Sequence, residues 1–99
     1  KVRGGFDTVT YRAIVDEARG VGLPVAGHGP FAVGVQGVLR ARQRSVEHLT
    51  GAILVPLLPA SAPPLAGADL RTGLVAWRLA DTARRPATAA ALRAANTWS

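Results

Sequence analysis

His28 and His48 are the only histidines in the chain, and their type and placement could do chemistry. Each ends or nearly ends a short apolar run: Leu23-Pro24-Val25-Ala26-Gly27-His28 and Ser45-Val46-Glu47-His48-Leu49. A neutral imidazole can ligate a metal ion or move a proton near neutral pH. If the two runs are parallel strands of one sheet, their C-terminal ends open on one cleft, where α/β proteins bind ligands and metals. Two imidazoles brought there could share an ion. Zinc suits them best, because it accepts His nitrogen and carboxylate oxygen without needing thiolate. The same spacing also suits two hydrogen-bonded histidines at strand ends, and a catalytic zinc ordinarily takes three protein ligands plus water. Glu47, next to His48 along a strand, is expected on the opposite face.

The elements that must position these residues follow from apolar spacing. Thr8–Gly20 reads as a helix: Thr8 or Thr10 can cap it, Tyr11, Ile14, Val15 and Ala18 share a face, and Gly20 and Gly22 stop it. Pro24 stands at the start of the first strand, where a missing N–H does least harm. Residues 31–42 form a second helix on Val35, Val38 and Leu39, with Arg40, Arg42 and Arg44 on its wet side. Gly34 and Gly37 weaken it by roughly 1 kcal/mol each relative to Ala. Strand–helix units in succession imply right-handed parallel crossovers. Residues 54–67 carry Pro56, Pro59, Pro63 and Pro64 and read as a loop or insertion. Residues 73–82 (Leu74, Val75, Trp77, Leu79) and 88–95, with Pro86 near its start, read as helices, and 96–99 could begin another strand.

Composition bounds the classes. Ninety-nine residues that are 48% hydrophobic, with mean hydropathy +0.20, suffice for a core and argue against disorder. The absence of cysteine excludes disulfides, thiolate metal sites and a Cys nucleophile. The longest apolar stretch, 52–58, is broken by Pro56 and falls short of the roughly 20 residues a bilayer span needs. No secretory leader pattern is read, and a cytoplasmic setting without a membrane partner is favoured. Twelve basic against six acidic residues give +6, and eleven of the twelve are Arg. Arg40, Arg42 and Arg44, with Arg84-Arg85, raise the alternative of a basic nucleic-acid module. With only two Trp, one Tyr and two Phe there is no stacking platform, so a solvated helix face is the stronger expectation.

Across residues 1–51, Lys1-Val2, the stretch Tyr11 to Ala18, Gly22-Leu23-Pro24-Val25-Ala26-Gly27-His28-Gly29-Pro30 and Ser45-Val46-Glu47-His48-Leu49-Thr50-Gly51 resemble the amidohydrolase superfamily of metal-dependent hydrolases. They look most like its imidazolonepropionase-like and Xaa-Pro-dipeptidase-like branch. The resemblance implies an α/β fold, a partial (β/α)₈ barrel from the end of strand four to the start of strand seven. It makes residues 52–72 a variable Pro-rich insertion and residues 73–99 helices plus the start of the next strand. His28 matches the metal ligand of strand five and His48 that of strand six. Lys1 matches a lysine that many members carbamylate, turning a cation that cannot ligate into an anionic oxygen ligand. The implied cofactor is one or two divalent ions, zinc first. The implied reaction is hydrolysis of an amide or other C–N bond in a small cyclic-amide or dipeptide-like substrate by metal-activated water. The family's His-x-His pair and proton-accepting aspartate have no counterpart here: Asp69 lies in the loop and Asp81 in an expected helix. The chain is therefore expected to be a central piece of a barrel of roughly 250 residues. Alone it would be inactive, and self-association would cover its open strand edges. A non-catalytic barrel remnant is the other alternative.

Overall fold

The first helix, α1 (Thr8–Gly20), starts where the Asp7 carboxylate accepts the Thr10 N–H at 2.7 Å. Asp7 is thus the N-cap, one residue before the expected threonine, and that hydrogen bond holds its carboxyl below the usual range. The computed structural model describes residues 1–48, 55–62 and 70–98. In these, α1 is followed by β1 (Ala26–Gly27), α2 (Gly34–Arg40), β2 (Ser45–Val46), a 3₁₀ turn at Val55–Leu57, α3 (Leu70–Leu79), a 3₁₀ turn at Thr82–Arg84 and α4 (Arg85–Ala94).

Three helices end alike. After α1 the N–H of Gly22 reaches the Arg19 carbonyl and that of Leu23 the Ala18 carbonyl. After α2, Arg42 reaches Leu39 and Gln43 reaches Val38; after α4, Asn96 reaches Arg93 and Thr97 reaches Leu92. This paired closure is the Schellman motif, which needs a left-handed residue after the cap. Gly22, Arg42 and Asn96 supply it at φ 72°, 51° and 55°. Each helix then hands the chain directly to an extended segment.

Those segments lie side by side. β1 pairs with β2 in parallel, Ala26 opposite Ser45 and Gly27 opposite Val46. Val2 adds a parallel bridge to Gly27 on one side, and Trp98 one to Ser45 on the other. The strand–helix–strand unit β1–α2–β2 is thus present, but the partial (β/α)₈ barrel implied by the resemblance is not formed. Among the described residues, β-structure is a two-stranded sheet of two-residue strands beside four helices, far from a closed wall of strands. The sequence limits the ladder: Pro24 has no N–H to donate, Gly29-Pro30 follows β1, and His48 turns left-handed at φ 67° just beyond β2. Leu49, expected in the second strand, and Asp69 lie outside the described residues.

The core is divided. Val2, Tyr11 and Val15 pack under α1; Val35, Val38, Val46 and Leu92 join α2, β2 and α4; Leu57 and Ala76 form a third cluster. Each fully buried Val contributes roughly 1.5–3 kcal/mol. On α3, Leu74, Val75 and Trp77 remain exposed. No helix among the described residues is long and apolar enough to cross a membrane.

Between the first two clusters sits a polar side chain, Gln43, at 0% exposure. Its amide NH₂ donates to the carbonyls of Ser45 at 2.7 Å, Gly27 at 3.1 Å and His28 at 3.2 Å, its two hydrogens shared among three acceptors. Its Oε1 accepts the Tyr11 hydroxyl at 2.9 Å, and its backbone carbonyl accepts the Thr97 hydroxyl at 2.8 Å. Gln43→Leu strands these buried partners, and we expect a loss of roughly 3 kcal/mol in urea unfolding. Burial pushes the Tyr11 phenol up to about 12. Folding therefore favours the neutral phenol. Its stabilisation is full below pH 10, the unfolded value, and is lost as pH rises through about 12. Tyr11 is the only tyrosine, so tyrosinate absorbance reports it alone; a midpoint near 12 that drops toward 10 in urea is the expected result.

Candidate metal centre

The register of β1 and β2 decides what meets at their ends. With Gly27 opposite Val46, His28 leaves one strand where Glu47 and His48 leave the other. The Glu47 N–H donates to the Gly27 carbonyl at 2.9 Å, and the His28 N–H to the Val2 carbonyl at 3.1 Å, which fixes both backbones. The imidazoles of His28 and His48 stack with centroids 4.9 Å apart and planes inclined by 28°. Twenty residues apart in sequence, they are neighbours in space. His28 is half-buried and His48 exposed, and His28 Nδ1 is buried without a hydrogen-bond partner among the described residues.

Lys1 comes to the same end by a different route. Val2 flanks β1, and the Lys1 side chain crosses over Gly27 to form an ion pair with the Glu47 carboxylate. Gly27 makes the crossing possible. A Cβ there would stand 2.3 Å from the Val2 carbonyl oxygen and 3.1 Å from Lys1 Cγ, and its φ of 127° is one that side chains rarely adopt. The Lys1 hydrogen bond is the main reason the Glu47 carboxyl lies below its usual range, and the charges of His28 and His48 act in the same direction. Glu47 therefore senses both imidazoles. The strict alternation expected of a strand is cut short because β2 ends at Val46 and His48 is left-handed.

The structure thus brings His28, His48 and Lys1 to one end of the sheet and adds Glu47, which sequence spacing had placed on the far face. Gln43 was also missed. It follows a helix among arginines, and nothing in its neighbours marks a buried hub. Asp81 is elsewhere, accepting the Ala83 N–H at 2.9 Å as the cap of the Thr82–Arg84 turn.

As donors, the imidazoles suit a divalent ion in number and type only in part. The orphaned His28 Nδ1 is the kind of atom a metal would satisfy, and two neutral rings are ordinary zinc ligands. Rings this close to parallel direct their in-plane lone pairs side by side, so one ring must turn before both face a single ion. Among the described residues no group of three or more His, Asp or Glu side chains is arranged to hold a metal ion. Lys1 forms an ion pair with Glu47; a carbamate in its place would be repelled by the same carboxylate, so the two uses of Lys1 exclude each other.

No family model, curated protein or solved structure matches the chain.

Gly27→Ala tests this geometry. The added methyl cannot coexist with the Val2 bridge, so the Lys1–Glu47 pair should break and the Glu47 carboxyl should return toward its ordinary value. Side-chain carboxyl NMR titration reads this directly, and an unshifted Glu47 titration contradicts it.

Proposed function

We propose that this chain supplies a paired-imidazole metal site to a metal-dependent hydrolase of amide or other C–N bonds, acting on small cyclic-amide or dipeptide-like substrates. The observation that carries the reading is the His28–His48 pair, ring centroids 4.9 Å apart at the ends of two adjacent parallel strands, with a buried ring nitrogen lacking a partner among the described residues. The likeness of the segments around both histidines to the amidohydrolases supplies the reaction class.

A divalent ion, zinc first, supplies Lewis acidity there: it makes water acidic enough to ionise near pH 7 and polarises a carbonyl. The chain's own residues prepare the place. His28 and His48 offer ring nitrogens at strand ends that backbone hydrogen bonds hold, from the His28 N–H to Val2 and from the Glu47 N–H to Gly27. Glu47, kept ionised by Lys1, sets a negative charge near both rings, which favours a cation. Lys1 orients that carboxylate through the ion pair. Further ligands and a proton-accepting group are needed to complete a hydrolytic centre, because three protein ligands plus water is the common zinc arrangement.

Calorimetric titration with Zn²⁺ tests the reading. The chain should take up one ion per paired site, and His28→Ala and His48→Ala should each weaken uptake at least tenfold. Affinity should also fall on acidification, because a protonated imidazole cannot ligate. Zinc uptake that ignores both substitutions, or none at all, overturns it.

A further inference from the structure

Two surface cavities of about 230 and 440 Å³ share a wall formed by Val15, Arg19 and Ala41. Together they make a trough between α1 and α2 that continues to the segments entering β1 and β2. Arg12 and Arg40 line its first half, Arg42 and Arg44 its second, and Arg19 stands between. All five side chains are exposed. Among the described residues the one carboxylate on the wall is Asp16, paired with Arg19 at 3.5 Å, and the other four arginines have no carboxylate partner. Arg40, Arg42 and Arg44 are close in sequence, but folding adds Arg12 and Arg19 from another helix.

We infer that this trough is a docking surface for the phosphate backbone of double-stranded nucleic acid. The charge fits: among the described residues, five guanidiniums against one carboxylate leave a strip with a net charge of +4, on a chain of net charge +6. The donor type fits, because every cation in the trough is an arginine, whose planar fork matches phosphate oxygens two at a time. The spacing fits as well. Arg12 and Arg19, seven residues apart on α1, are separated by about 10 Å along the helix axis, close to the rise of three nucleotides at roughly 3.4 Å per strand. No exposed aromatic side chain lines the trough: Tyr11 reaches it but is buried, with its hydroxyl on Gln43. Bases therefore have nothing to stack on, which favours a closed duplex read through its backbone over an open single strand.

Fluorescence anisotropy of a labelled duplex DNA of about 20 base pairs, titrated with the full chain at several salt concentrations, tests the inference. Four unpaired arginines at about 0.9 each predict a slope of log K against log salt near −3.6. Arg12→Gln, Arg40→Gln, Arg42→Gln and Arg44→Gln should each reduce that slope by about 0.9, and the four together should bring it close to zero. The corresponding four Arg→Lys changes should keep it. Arg78→Gln with Arg93→Gln, exposed arginines that do not line the trough, should leave it unchanged. The inference is overturned by absent binding at low salt, by an equal loss in the Arg78/Arg93 control, or by a single strand or poly-glutamate of equal charge displacing the duplex as well as duplex itself does.

Discussion

The side-chain amide of Gln43 is sealed from solvent, yet it satisfies carbonyls on both strands and takes the Tyr11 hydroxyl proton on its oxygen. A buried amide without partners costs more than most single contacts return, so this side chain is stable only when β1, β2 and α1 are all in place. That makes it a condition on the whole arrangement. The strands are two residues long, and their ladder alone could slip. A side chain that needs Gly27, His28 and Ser45 at fixed distances penalises every other register. Because the register puts His28 beside the end of β2, the candidate metal centre depends on a residue that contributes no atom to it.

Gln43 reaches its position through the end of a helix. It is the second residue past the cap of α2, the position whose N–H closes a Schellman motif; Thr97 holds the equivalent position after α4, and its hydroxyl donates to the Gln43 carbonyl. Helix closure and sheet formation are therefore coupled. Each closure turns the chain through a left-handed residue and aims the next segment into the sheet. Glycine serves for α1, whereas Arg42 and Asn96 adopt the same backbone with a side chain in place, at a cost of about 1–2 kcal/mol for an ordinary residue. The packing beyond must offset that strain. At the other end of the sheet, Gly27 performs the complementary task, being small enough to let Val2 approach and Lys1 pass over to Glu47.

The helices were largely legible in the sequence. α1 follows the spacing of Tyr11, Ile14, Val15 and Ala18 and the Gly22 stop, because local capping and amphipathic burial act together there. The parallel pairing of the two histidine runs was legible too, since each apolar run follows a helix stop. Strand length was not. Pairing ended where Pro24, Gly29-Pro30 and the left-handed His48 removed donors or turned the chain, and a run of apolar residues does not record those breaks. The barrel implied by resemblance failed at this step, for family likeness follows residue types around the histidines while closure depends on ladders the described chain does not build. Lys1 and the histidines did arrive at one end of the sheet. The placement of Glu47 required knowing that β2 stops one residue before it, and the role of Gln43 required the three-dimensional meeting of four distant carbonyl and hydroxyl groups.

The Gln43 amide fixes the strand register and thereby brings the two imidazoles together. The nuclear Overhauser effect between the ring protons of His28 and His48 reads that pairing, because centroids 4.9 Å apart place ring protons within range. We predict a clear cross-peak in the native chain and its loss in Gln43→Leu under conditions where the helices persist. A cross-peak absent from the native chain, or one of equal strength after the substitution, would mean that Gln43 does not set the register that pairs the imidazoles.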